Sequence, residues 1–142
     1  MKYGKSLIAA VLGATVLLST AAMAKNVEVT AEGTAFKPIV VQIQPGDTVS
    51  WTNMNGHTTH SLDADKLIPA GGQTWQSEMG DNFQTKPFKK EGIYMYKCDP
   101  HWGFGMGGVI IVGKPTNLAE IKKHAHGPAH RLLHLAEKAL KK

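Results

Sequence analysis

Cysteine is nearly missing. One thiol, Cys98, stands in a chain of 142 residues that also holds seven histidines and six methionines. A single cysteine excludes an internal disulfide, and without a C-x-x-C-H run the chain lacks the signature of covalently attached haem. Basic residues interleaved with stacking aromatics are missing too, and a formal charge of +5 is too mild to argue for nucleic acid. No internal repeat or low-complexity tract occurs. Long apolar runs are equally scarce: the single example, "LIAAVLGATVLL", is about a dozen residues and too short for a comfortable membrane span.

That run has a different reading. It follows the basic start Met1-Lys2-Tyr3-Gly4-Lys5 and precedes "STAAMA", which ends in the small-x-small triplet Ala22-Met23-Ala24. This is the pattern of a secretory leader spanning residues 1–24, cleaved after Ala24. Loss of Lys2 and Lys5 lowers the formal charge from +5 to +3, which suits docking with an acidic protein partner. In an exported protein a free reactive thiol is an oxidation liability. Cys98 is therefore either an inert core residue or a sulfur already occupied.

Short strands are expected between Asn26 and Gly113. "NVEVTAEG" alternates, "PIVVQIQPGDTVSWTN" is β-branched and interrupted by the turn Pro45-Gly46-Asp47, and "GIYMYK" and "GVIIVG" follow later. "IPAGG", "EMGDN" and "TKPFKKEG" supply turns between them. Regular short strands with frequent turns predict an all-β antiparallel sandwich over residues 25–113. From 114 to 142 the character changes. Asn117 with Glu120 has capping-box spacing, Gly127 marks a stop, and Pro128 opens a second helix with apolar residues at 129, 132, 133, 136 and 140. Two C-terminal helices, packed on the sandwich, are the expectation.

The thiol sits in "YKCDPHWGFGMGG", where Cys98, His101 and Met106 form a C-x2-H-x4-M pattern between two predicted strands. Thiolate and imidazole in one plane with a long axial thioether describe a blue-copper electron-transfer site, and that plane needs a second histidine. Zinc fits poorly, because structural zinc takes four ligands from cysteine and histidine and rarely methionine. Pro100 stiffens the loop and withholds one N–H donor. The loop glycines at 103, 105, 107 and 108 permit close backbone approach.

At these residues the chain resembles the cupredoxins, and among them the pseudoazurins. The similarity rests on "CDPHWGFGM", "PGDTVSW", "LIPAG" and "VGKPTNL", the last leading into the helical tail. It implies a Greek-key cupredoxin β-sandwich of about eight strands holding one type 1 copper per chain. It also implies a monomeric periplasmic electron shuttle, with no membrane insertion after cleavage, whose partners are c-type cytochromes and copper- or haem-containing nitrite reductase. The second histidine is His57 or His60. Gly56-His57, followed by Ser61-Leu62 and Ile68-Pro69-Ala70-Gly71, fits the pseudoazurin arrangement and favours His57; plastocyanin-like spacing favours His60. The expected ligand set is His57, Cys98, His101 and Met106. The asparagine that usually follows the first histidine is replaced by Thr58, whose hydroxyl can donate a similar bond.

Around His101 the sequence places Trp102 and Phe104, and the resemblance implies Ile68 and Pro69 nearby, an exposed apolar rim unless Trp102 packs in the core. Lys66, Lys89, Lys90 and Lys97 either ring it or form an ordinary solvated surface. The tail histidines His124, His126, His130 and His134 are either solvated polar residues or, at the i, i+4 pair His130/His134, an exposed metal site. Surplus histidine and methionine leave a competing class open, a periplasmic copper chaperone or storage and resistance protein. An enzyme is not implied, because a filled site without an acid–base partner gives a substrate nowhere to bind.

Overall fold

The structure, a computed structural model, describes residues 13, 16, 18, 19 and 21–142. Most of the expected leader lies outside the described residues. Among those described, no helix is long and apolar enough to cross a membrane.

Eight strands form two four-stranded sheets. They are β1 (Asn26–Glu32), β2 (Ala35–Lys37), β3 (Val40–Ile43), β4 (Thr48–Thr52), β5 (His60–Ser61), β6 (Phe83–Gln84), β7 (Gly92–Lys97) and β8 (Gly107–Val112). One sheet runs β2-β1-β4-β6 and the other β3-β8-β7-β5. The ladders are not all antiparallel as expected, since β1 pairs with β4 and β3 with β8 in parallel. The reason lies at the Pro45-Gly46-Asp47 turn: β3 and β4 do not fold back on each other but enter different sheets, so each meets a strand running its own way.

Alternation in β4 buries Val49 and Trp51 between the sheets. In β7 and β8 the alternation disappears because both faces are covered, and nearly every residue is buried. One face meets the inter-sheet core of Trp51, Trp75, Phe88, Tyr94 and Tyr96. The other meets the C-terminal helices α1 (Leu118–His124) and α2 (Pro128–Leu140), where Ile93, Met95, Val109 and Ile111 pack against Ile121, Ala129, Leu132, Leu133 and Ala136. The apolar stripe of α2 is thus a packing face.

Two local expectations for the tail need correction. Asn117 occupies the first-helix N-cap position but makes no side-chain cap bond. Its amide instead pairs with Ile93, accepting from the backbone N–H at 2.7 Å and donating to the carbonyl at 2.9 Å, so it extends the β7 edge and ties α1 to the sheet. Gly127 does not end α1, which stops at His124; with φ 54° it turns the chain into α2.

Candidate metal centre

One end of the sandwich carries two neighbouring segments. The first, residues 53–59, leaves β4 and turns at Gly56, whose φ is 79°. Two bonds fix the His57 backbone: its N–H donates to Met54 at 2.8 Å and its carbonyl accepts from Gly80 at 3.0 Å. The second segment joins β7 to β8 and winds as a 3-10 helix over Asp99–Phe104, with Pro100 in its first turn. Three backbone bonds close it: Cys98 N–H to Met106 O (2.9 Å), His101 N–H to Cys98 O (3.2 Å) and Met106 N–H to His101 O (3.2 Å). Both loop ends therefore inherit the rigidity of the β7/β8 ladder.

These constraints aim three donors at one point. Cys98 Sγ lies 3.6 Å from His57 Nδ1 and 3.5 Å from His101 Nδ1, and the two nitrogens are 3.2 Å apart. A circle through the three atoms has a radius of about 2.0 Å, which is the bonding range of nitrogen and close to that of sulfur for a first-row divalent ion. Among the described residues this is the one cluster of three such side chains with metal-binding geometry. Cys98 is wholly buried and Met106 nearly so, whereas both imidazoles are half-buried. Burial, with a smaller contribution from the nearby His101 charge, holds His57 below the usual histidine range. That favours the neutral imidazole a metal requires. A thiol and two imidazoles, with Met106 tied by its backbone to Cys98 and His101 on the same loop, suit copper.

His60 is directed elsewhere. Three residues on, at the start of β5, its Nδ1 lies 3.0 Å from Asp99 Oδ1. Thr58 performs the bridging expected of it: its hydroxyl accepts from the Asp99 N–H at 2.8 Å and donates to Asp99 Oδ2 at 3.0 Å. Partial burial pushes the Asp99 carboxyl up. Hydrogen bonds from His60 and Thr58, with the charges of His60 and Lys97, outweigh that effect and hold it below the usual carboxylate range.

The expected rim is only partly present. Phe104 is 78% exposed with its ring 6.4 Å from that of His101. Trp102 turns inward instead and packs with the helix-covered core, close to Gly107. Ile68 and Pro69 are not at this end. Pro69 lies against Gly92, the opposite end of β7 and roughly 16 Å of strand from Lys97. Ile68, Lys66 and Lys90 line the same distant cleft beside α1, and Lys89 lies in an adjacent groove. Of the four lysines only Lys97 is near the centre, 3.5 Å from Asp99. Met79, which sequence reasoning missed, is 56% exposed beside the Gly80 that holds His57.

An eight-stranded sandwich with a buried cysteine facing two histidines at one end defines the cupredoxin class. The family model described as copper binding proteins of the plastocyanin/azurin family matches residues 21–113, and the chain belongs to that family. Its relatives give it a pseudoazurin-like character. Pseudoazurin from Paracoccus pantotrophus is 33% identical over 89 residues, covering 61% of this chain and 59% of that protein, so the chain spans less than two thirds of it. A chloroplastic plastocyanin from Tetradesmus obliquus is 35% identical over 104 residues, covering 67% of this chain and 71% of that one. The crystal structure of native pseudoazurin from Hyphomicrobium denitrificans superposes with a TM-score of 0.68 at 30% identity, covering 77% of this chain and 93% of the other. Copper is the cofactor of this family, and its pseudoazurin and plastocyanin members are electron carriers, not enzymes.

Proposed function

We propose that the chain is a periplasmic blue-copper electron carrier that binds one copper through His57, Cys98, His101 and Met106. The observation that carries this reading is the convergence of the buried Cys98 sulfur with the His57 and His101 nitrogens, all within 3.6 Å of one another. Bound copper supplies the one-electron Cu(II)/Cu(I) couple. The chain supplies rigidity: donors pinned by backbone bonds to a sheet move little when the charge at the centre changes.

The route for the electron follows from exposure. Cys98 is sealed in the core, while His101 is half-buried with Phe104 beside it. Phe104, with Met79 near the His57 segment, offers a small apolar contact suited to brief redox encounters. Partners are periplasmic c-type cytochromes and nitrite reductases. Residues 1–24 act as the export leader, residues 25–113 hold the copper domain and residues 114–142 form its helical extension.

The test is stopped-flow mixing of the reduced, copper-loaded protein with an oxidised c-type cytochrome. Rapid second-order oxidation, slowed strongly by Phe104→Asp, supports the carrier. Copper that passes to a chelator faster than its electron passes to the cytochrome would support a copper-delivery protein instead.

A further inference from the structure

Asp99 directly follows Cys98, and beyond the Thr58 bridge the electron-carrier reading gives its carboxylate charge no task. Yet four interactions converge on it from three directions. Its N–H and Oδ2 both engage the Thr58 hydroxyl, at 2.8 and 3.0 Å. Its Oδ1 meets His60 Nδ1 at 3.0 Å and the Lys97 ammonium at 3.5 Å. Thr58 and His60 belong to the segment that carries His57, whereas Asp99 and Lys97 flank Cys98. β5 and β7 also pair His60 with Lys97. A single carboxylate thus bridges the two segments that supply the donors, one residue from the sulfur.

We infer that Asp99 is a positioning and charge-setting residue of the copper centre, clasping the His57 segment to Cys98 and placing a fixed negative charge beside the thiolate that Lys97 partly offsets. This rests on the electron-carrier reading. An anion close to the centre favours the more positive oxidised form, so Asp99 holds the reduction potential down and Lys97 opposes it. Sharing the task between a carboxylate and a lysine lets the chain keep a tight clasp without the full potential cost of an isolated anion. His60, the histidine that does not face Cys98, acquires a role as the outer jaw of the clasp.

The experiment has two readouts. In the copper-loaded protein, voltammetry of Asp99→Asn is expected to show a raised potential and Lys97→Gln a lowered one, with the double variant returning toward the original value. Asparagine keeps an acceptor for His60, so the shift reports charge rather than collapse. Shifts of the same sign, or none, would overturn the charge assignment, because a merely structural residue has no reason to mirror its counter-ion. In the metal-free protein, Thr58→Val is expected to speed amide hydrogen exchange at residue 99 by about ten-fold or more. Unchanged exchange would overturn the clasp. If the unsubstituted protein fails to form a thiolate-bound copper centre, the electron-carrier reading falls and takes the charge assignment with it. The exchange measurement still decides the clasp.

Discussion

Leu132→Ala tests whether the helical tail is an appendage or part of the metal centre's foundation. Leu132 is wholly buried in the core between α2 and the β3-β8-β7-β5 sheet. A side-chain carbon at Gly107 would lie 3.2 Å from Leu132 Cδ1 and 2.9 Å from Trp102 Cζ3, so Leu132 and Trp102 together floor the strand start that follows Met106. Truncation removes buried methyl groups and leaves a cavity that rigid β8 cannot close. Fully buried leucines of this kind cost about 3–4 kcal/mol when cut to alanine. That is a large share of a typical domain stability of about 5–15 kcal/mol. For a domain of this size it corresponds to a melting temperature lower by roughly 10–15 °C. Urea unfolding of the metal-free protein, followed by tryptophan fluorescence, measures the cost. The copper-loaded variant should also show a broadened site, because the loop floor has loosened. A loss below about 1 kcal/mol would mean that α2 rests on the sandwich without supporting it, and would refute the proposed coupling of tail to site.

Other positions give independent checks. His57→Ala should abolish thiolate-bound copper while His60→Ala retains it, as read from the visible spectra of the two variants after copper addition; the reverse result would exchange their roles. Gly108→Ala places a carbon 2.3 Å from the buried Tyr96 hydroxyl, so overpacking should cost about 1–3 kcal/mol in urea unfolding, and a neutral result would mean that Tyr96 can move. Asp47 accepts from the Gln44 N–H at 2.9 Å and the Lys25 N–H at 2.8 Å, and these bonds hold its carboxyl below the ordinary 3.8. Its folded form binds protons less readily than the unfolded chain does, so its contribution is full above pH 3.8 and fades as pH falls through the lowered value. The stability gap to Asp47→Asn should therefore narrow on acidification, which urea titrations at a series of pH values will show. In protein processed after Ala24 the Lys25 nitrogen is an ammonium, and the gap at neutral pH should be wider than in the unprocessed chain.

The loop members of the candidate site are legible because they lie close together in sequence: Cys98, His101 and Met106 share one loop between two strongly β-patterned strands, and a strand pair fixes where such a loop must be. His57 was harder. Its direction is set by the Gly56 turn and by bonds to Met54 and Gly80, not by strand alternation, since β5 begins only at His60. Strands of two or three residues, such as β2, β5 and β6, carry too few side chains to show a period. The parallel ladders depend on which sheet a strand joins, which local pattern does not encode. Lys66 and the Ile68-Pro69 pair lie away from the expected rim because the segment after β5 runs back along β7, as the Met95 N–H bond to Leu67 O shows. Lys89 and Lys90 precede β7, at the end of that strand opposite Cys98. Asn117 looked like a helix cap because its spacing to Glu120 was right, but an amide that can pair both backbone groups of Ile93 does more there.

Whether Cys98 binds copper is decided by the visible absorption of the mature protein titrated with Cu(II), beside Cys98→Ser. An intense thiolate-to-copper charge-transfer band is expected, saturating at one copper per chain and absent from the serine variant. Copper bound without that band, or a band that survives in Cys98→Ser, would contradict Cys98 as a ligand.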